Sequence, residues 1–130
     1  MLASSIWVAL GGAIGSLVRY WLGLGFAAWT DSRFPWATLV VNISGSLLIG
    51  AVAGLTGPDG RFAASPFTRE FLMVGICGGY TTFSAFSLQT LALAHAGDWP
   101  RAGANVVGSV VLCLLAVWLG HLAAVKLAAG

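Results

Sequence analysis

The chain has 130 residues, 58% of them hydrophobic and only 8% charged, with a formal net charge of +2. Water-soluble domains carry about a quarter charged residues, so this composition excludes one and implies an integral membrane protein. The six basic residues are too few and too scattered for a nucleic-acid surface, and Cys77 and Cys113, far apart in apolar runs, indicate neither a disulfide nor a CxxC metal site.

The first candidate span is Ile6 to Trp29, with Arg19 as its one charge, and a helix is expected over 5–29. A cleaved leader is not expected, because the first eighteen residues have no basic n-region and the apolar run continues past the usual length. Thr30 to Pro35 reads as a turn, and the second helix is expected over 36–56, inside the 25 uncharged residues from Phe34 to Pro58. Gly57 to Pro66 punctuates again before a third helix over 67–95, most of it in the 27 uncharged residues Phe71 to Gly97. Ala96 to Arg101 turns the chain into a fourth helix over 101–126, covering the 24 uncharged residues Ala102 to Val125. Each run exceeds the roughly 20 apolar residues that a hydrocarbon core requires. The expectation is an all-α, multi-pass membrane protein forming a single four-helix domain over 1–130, with any function inside the helices because the connections are too short to hold a domain.

Four spans place both termini and the middle loop on one side. Basic residues then divide as Arg61, Arg69 and Lys126 against Arg33 and Arg101, almost no asymmetry. Either the small bias orients the chain, or it inserts both ways and pairs as an antiparallel dimer. Gly11 with Gly15, and Gly50 with Gly54, have the spacing that lets helices approach closely in lipid, within one chain or between two.

The polar residues inside the spans are the candidate functional groups. Arg19 is a buried cation, and the expectation that no Asp or Glu lies in any span favours anion handling over proton or cation exchange. Asn42 sits about 10 Å along the second helix, where its amide can bind an anion or hydrogen-bond to another helix. Asn105, Ser109 and Cys113, at i, i+4 and i+8, form a polar stripe on the fourth helix. His121 is nearer an interface.

The third run is the least ordinary. Its centre falls at Ser84, inside "CGGYTTFSAFS", Cys77 to Ser87. A straight 27-residue helix would be about 40 Å long, more than a bilayer needs, and Gly78-Gly79 followed by Thr81-Thr82 is poor helix sequence. A break near the midplane is expected there. Non-helical backbone at that depth must be buried or line a cavity, and its freed carbonyls can ligate a hard cation. Phe83 and Phe86, three apart, present rings whose positive edges can stabilise an anion, or simply pack.

Three motifs, "GGAIGSLVRY" (Gly11 to Tyr20), "TLVVNISGSLLIG" (Thr38 to Gly50) and "GICGGYTTFSAFS" (Gly75 to Ser87), resemble those of the Fluc/CrcB family of fluoride channels, and the resemblance covers essentially the whole chain. It implies an antiparallel dual-topology homodimer in the cell membrane, with two pores passing fluoride in preference to chloride, and a passive export role rather than an enzyme. By similarity, Asn42, Phe83, Phe86 and Ser109 would line each pore, and Thr82, Ser84, Asn105 and Cys113 would contribute to a polar track. Arg19 would stand near a vestibule, and the backbone carbonyls of Gly78 and Thr81 would hold a structural Na⁺ at the dimer centre. The chain departs from the family pattern at Ala85, Gln89 and Ala37, and in the track at Asn105 and Cys113. A small multidrug-type exporter is the nearest rival, but needs a membrane-embedded carboxylate. A non-transporting membrane scaffold is the other alternative.

Overall fold

The computed structural model describes residues 2–30, 33–57, 60–62 and 64–130; parts of the two predicted connections at 31–32, 58–59 and 63 lie outside the described residues. It contains four helices long and apolar enough to cross a membrane: Leu2–Trp29, Trp36–Thr56, Pro66–His95 and Trp99–Ala129. The first two are α1 and α2. The third is composite: α3 (Pro66–Arg69), a π-helical stretch (Glu70–Cys77), α4 (Gly78–Tyr80) and α5 (Phe83–His95); the last is α6 (Trp99–Ala129).

Local chemistry sets the ends. Ser65 caps α3 by accepting from the Thr68 N–H at 3.2 Å, with Pro66 at the first helical position, where its missing N–H costs nothing. Asp98 caps α6 through the Arg101 N–H and Pro100 lies in the first turn, so the helix starts at Trp99 rather than at the expected 101. Between α5 and α6, Gly97 adopts a φ of 74°, and the Asp98 N–H reaches back to the Leu93 carbonyl at 2.9 Å. This is the glycine-terminated helix end that a side chain would strain. Arg61 of the middle connection donates to the Leu127 carbonyl at 3.1 Å and Arg69 of α3 to that of Thr56, so two basic residues satisfy carbonyls near the C-terminal ends of α6 and α2.

One correction follows. The third span does include a carboxylate: Glu70 lies outside the uncharged run but within the expected 67–95, and it is helical here, in the stretch that follows Ser65 and Pro66. Its Oε2 is buried and has no hydrogen-bond partner among the described residues. The paired glycines are also used within the chain. A Cβ at Gly11 would lie 2.6 Å from the Phe71 carbonyl oxygen and 2.9 Å from the Gly75 Cα, so α1 rests backbone to backbone on the π-helical stretch. A Cβ at Gly50 would meet Val117 and one at Gly54 would meet Ala124, which brings α2 equally close to α6. Lipid removes the hydrophobic drive between helices, and such close approach restores attraction by dispersion.

Candidate functional site

α4 ends at Tyr80, and Thr81 (φ −82°, ψ 159°) and Thr82 (φ −152°, ψ 115°) are extended before α5 begins at Phe83. The two glycines are not where the helix departs. Gly78 is right-handed helical, and Gly79 packs so closely on α1 that a Cβ would lie 2.5 Å from the Gly12 carbonyl oxygen.

A residue forty positions away holds the extended segment. The Thr82 N–H, which in a continuous helix would donate to the Gly78 carbonyl, donates instead to Asn42 Oδ1 at 2.7 Å. Asn42 Nδ2 donates back to the Thr82 carbonyl at 3.0 Å. The carboxamide therefore clasps one residue's N–H and C=O together, and only one amide orientation satisfies both. The Gly78 carbonyl is left without its helical donor. Cys77 keeps its own: the Thr81 N–H and Oγ1 both donate to the Cys77 carbonyl, at 3.0 and 2.9 Å. Thr82 then caps α5, its Oγ1 accepting from the Ala85 N–H at 3.1 Å.

Beside this segment is a cavity of about 400 Å³ between α2, the third span and α6. It gathers Asn42, Gly78, Thr81, Thr82, Phe83, Phe86, Ser109 and Cys113 on one wall system. Phe83 and Phe86 are tilted against one another at 51° with centroids 5.1 Å apart; Phe86 is buried, whereas Phe83 is 77% exposed on the isolated chain. Of the four hydroxyls lining it, those of Ser46 and Thr81 are committed to backbone carbonyls, at 2.7 and 2.9 Å, so the cavity offers ring edges and few spare donors.

The remaining predicted residues are elsewhere. Ser84 is exposed, its hydroxyl 3.3 Å from Thr82 Oγ1. Asn105 is 1% exposed and faces α5, donating from Nδ2 to Thr90 Oγ1 at 2.8 Å. It accepts from the Ser109 hydroxyl at 3.4 Å. Arg19 is half-buried on α1 and does not line the cavity.

A family profile described as "CrcB-like protein, Camphor Resistance (CrcB)" matches residues 6–121. The chain belongs to the CrcB family. It is 64% identical over 117 residues to a protein of Paramagnetospirillum magneticum named fluoride-specific ion channel FluC, covering 90% of this chain and 91% of that one. Proteins of the same name from Rhodospirillum rubrum and Opitutus terrae are 59% and 57% identical, over 96% and 94% of this chain and 97% and 92% of theirs.

In this CrcB-family chain, sequence reasoning missed several residues at or near the site. Gly45 and Ser46 line the cavity because they stand one helical turn beyond Asn42, a spacing that was available to read. Tyr80, whose hydroxyl is 2.8 Å from Ser44 Oγ, and Ser16, which donates to the Gly79 carbonyl at 3.4 Å, fasten α4 to α2 and α1. Nothing in the local sequence singles those two out.

Proposed function

We propose that this chain is a fluoride-selective channel of the cell membrane that lets fluoride leave the cell passively, working as an antiparallel dual-topology homodimer with two pores. The observation that carries this reading is the convergence of Asn42, Phe83, Phe86 and Ser109 on one cavity beside the extended Thr81-Thr82 segment. The names of its relatives supply the ion.

Fluoride is small and strongly hydrated, so a pore must replace its water with inward-facing positive partial charges. The tilted Phe83 and Phe86 offer ring edges of that sign without a full charge that would trap the ion. Ser109 and the unused N–H of Asn42 add hydroxyl and amide donors. Several weak sites in succession let the ion enter and leave. Phe83, largely exposed on one chain, suits a path completed by the second copy. In this reading the third span is broken at the membrane midplane, Thr82, Ser84, Asn105 and Cys113 contribute to the polar track, and Arg19 draws anions to the vestibule.

A structural Na⁺ fits the donor set. The Gly78 carbonyl, without its helical donor, and the Thr81 carbonyl at the end of α4 are neutral, hard oxygen donors of the kind that unwound membrane helices offer to Na⁺. A second copy brings the matching pair, and the cation supplies a fixed positive charge between two anion paths. The rival proton-driven exporter lacks its group at this site: Glu70, the carboxylate of the third span, does not line the cavity.

The test is efflux from liposomes loaded with fluoride or with chloride, followed by ion-selective electrodes. Fluoride release at a rate far above that of chloride is expected. A reconstituted dimer that releases neither ion overturns the proposal.

A further inference from the structure

Several hydroxyls in or beside the helices of this chain bond to the carbonyl one turn behind them. Ser46, Thr56, Thr81, Ser87 and Thr90 all donate to residue i−4, at 2.6 to 2.9 Å. This is the usual resting place of Ser and Thr on an apolar helix. Ser109 differs. Its hydroxyl donates to the side-chain oxygen of Asn105, not to the Asn105 carbonyl, and at 3.4 Å.

The direction of each proton can be followed outward from α5. Thr90 has one hydroxyl proton and gives it to the Phe86 carbonyl at 2.8 Å, so toward Asn105 it can only accept. It accepts from Asn105 Nδ2 at 2.8 Å. That bond turns the amide so that Oδ1 faces Ser109, and Ser109 must donate to it. A directed chain therefore runs from the cavity wall on α6, through a residue 1% exposed, to the backbone of Phe86.

We infer that Thr90 and Asn105 are positioning residues for the anion path, an inference that rests on the channel reading above. They keep the Ser109 proton off the backbone carbonyl and on a bond longer than the usual 2.7–2.8 Å or so of an O–H···O contact, where a passing anion exchanges it at little cost. They also tie the Ser109 site to the Phe86 carbonyl, so donor and ring edge keep a fixed separation. The displaced Asn105 Oδ1 pulls the proton back once the ion moves on, which favours release. Thr90 touches no ion itself; it acts through Asn105.

The test uses the full chain reconstituted in liposomes, with fluoride efflux and dimer assembly measured together. Thr90→Val keeps the shape but removes the acceptor, and efflux is expected to slow about tenfold, as the loss of one such bond implies. Thr90→Ser restores the hydroxyl and is expected to restore the rate to within about twofold. Thr90→Val with Asn105→Leu removes both polar partners. It is expected to assemble at least as well as Thr90→Val yet remain slow, and its rate loss is expected to fall well short of the product of the two single losses, because the residues act as one unit. If Thr90→Val fails to assemble, the double variant decides: assembly with slow efflux supports the inference, and continued failure to assemble overturns it. Full-rate efflux from either assembled valine variant, or Thr90→Ser as slow as Thr90→Val, also overturns it while leaving the channel reading intact. Failure of the unmodified protein to release fluoride removes that reading, and this inference with it.

Discussion

Replacing Asn42 with alanine removes both hydrogen bonds that clasp Thr82. Two opposing outcomes bound the cost. If the Thr82 N–H and carbonyl stay where they are, each loses a partner in a low-dielectric setting, at about 1–3 kcal/mol per group. Measured side-chain hydrogen bonds between membrane helices average only about 0.6 kcal/mol, with a maximum near 1.7, because polar groups find other partners. Here the obvious other partner is the Gly78 carbonyl, and taking it continues α4 through Thr81. The loss is therefore about 1–6 kcal/mol for the extended geometry, enough to depopulate it several-fold or more. Asn42→Ala is expected to lower the thermal midpoint of the purified protein and to abolish most fluoride efflux. Asn42→Asp separates a clasp from a simple anion donor. Its carboxylate can accept from the Thr82 N–H but cannot donate to the carbonyl, whereas the neutral acid can do both, so the midpoint of this variant is expected to rise on acidification toward that of the unmodified protein. An Asn42→Ala variant with unchanged midpoint and efflux within about twofold of the unmodified chain would refute the reasoning.

Phe83→Ile and Phe86→Ile remove ring edges while keeping bulk, and each is expected to slow fluoride efflux about tenfold or more with assembly unchanged; unchanged flux in both returns the pair to packing. Gly11→Ala places a Cβ 2.6 Å from the Phe71 carbonyl oxygen and is expected to destabilise the chain by about 1–3 kcal/mol in a thermal melt. Gly12→Ala, one residue on, meets nothing within 4 Å and is expected to be neutral or stabilising. Asp98, outside the spans, is held below its ordinary carboxylate range by the hydrogen bond and charge of Arg101. Its folded value is depressed, so its contribution to stability is present above the ordinary carboxyl range and lost as pH falls through the folded value. Asp98→Asn is expected to remove that acid-side step from a pH series of thermal melts while retaining the helix cap.

The membrane spans were legible because uncharged runs and Pro, Gly and Ser punctuation act locally: Ser65-Pro66 and Asp98 with Pro100 are start signals whatever surrounds them. The extended segment was legible only as a neighbourhood. Intrinsic propensity points to Gly78 and Gly79, yet Gly79 is held helical against Gly12, and the helix parts where Asn42 outbids the Gly78 carbonyl for one N–H. That competition is tertiary and leaves no local trace. The α6 stripe depends on tertiary context in a related way. A step of four residues advances a helix by about 40° beyond a full turn, so Asn105 and Cys113 differ by about 80° and face different neighbours. Asn105 meets Thr90 on α5, and Cys113 meets the cavity. Thr90 itself reads as an ordinary helical threonine, and only the fold pairs it with Asn105.

One competition for a proton accounts for much of the site. Diverting the Thr82 N–H to Asn42 ends α4 and starts α5 within two residues. A helix end carries partial charge of fixed sign, negative where carbonyls are left over and positive where N–H groups are. The interruption therefore sets a cation-favouring end, with the Gly78 and Thr81 carbonyls, beside an anion-favouring end that begins at Phe83. No formal charge is needed for either. A lysine or carboxylate at that depth would cost several kcal/mol and bind its ion too firmly to release it. On the proposed function, a chain with so few charges would serve two ions of opposite sign through backbone polarity and ring edges, provided that Asn42 keeps Thr82 out of the helix.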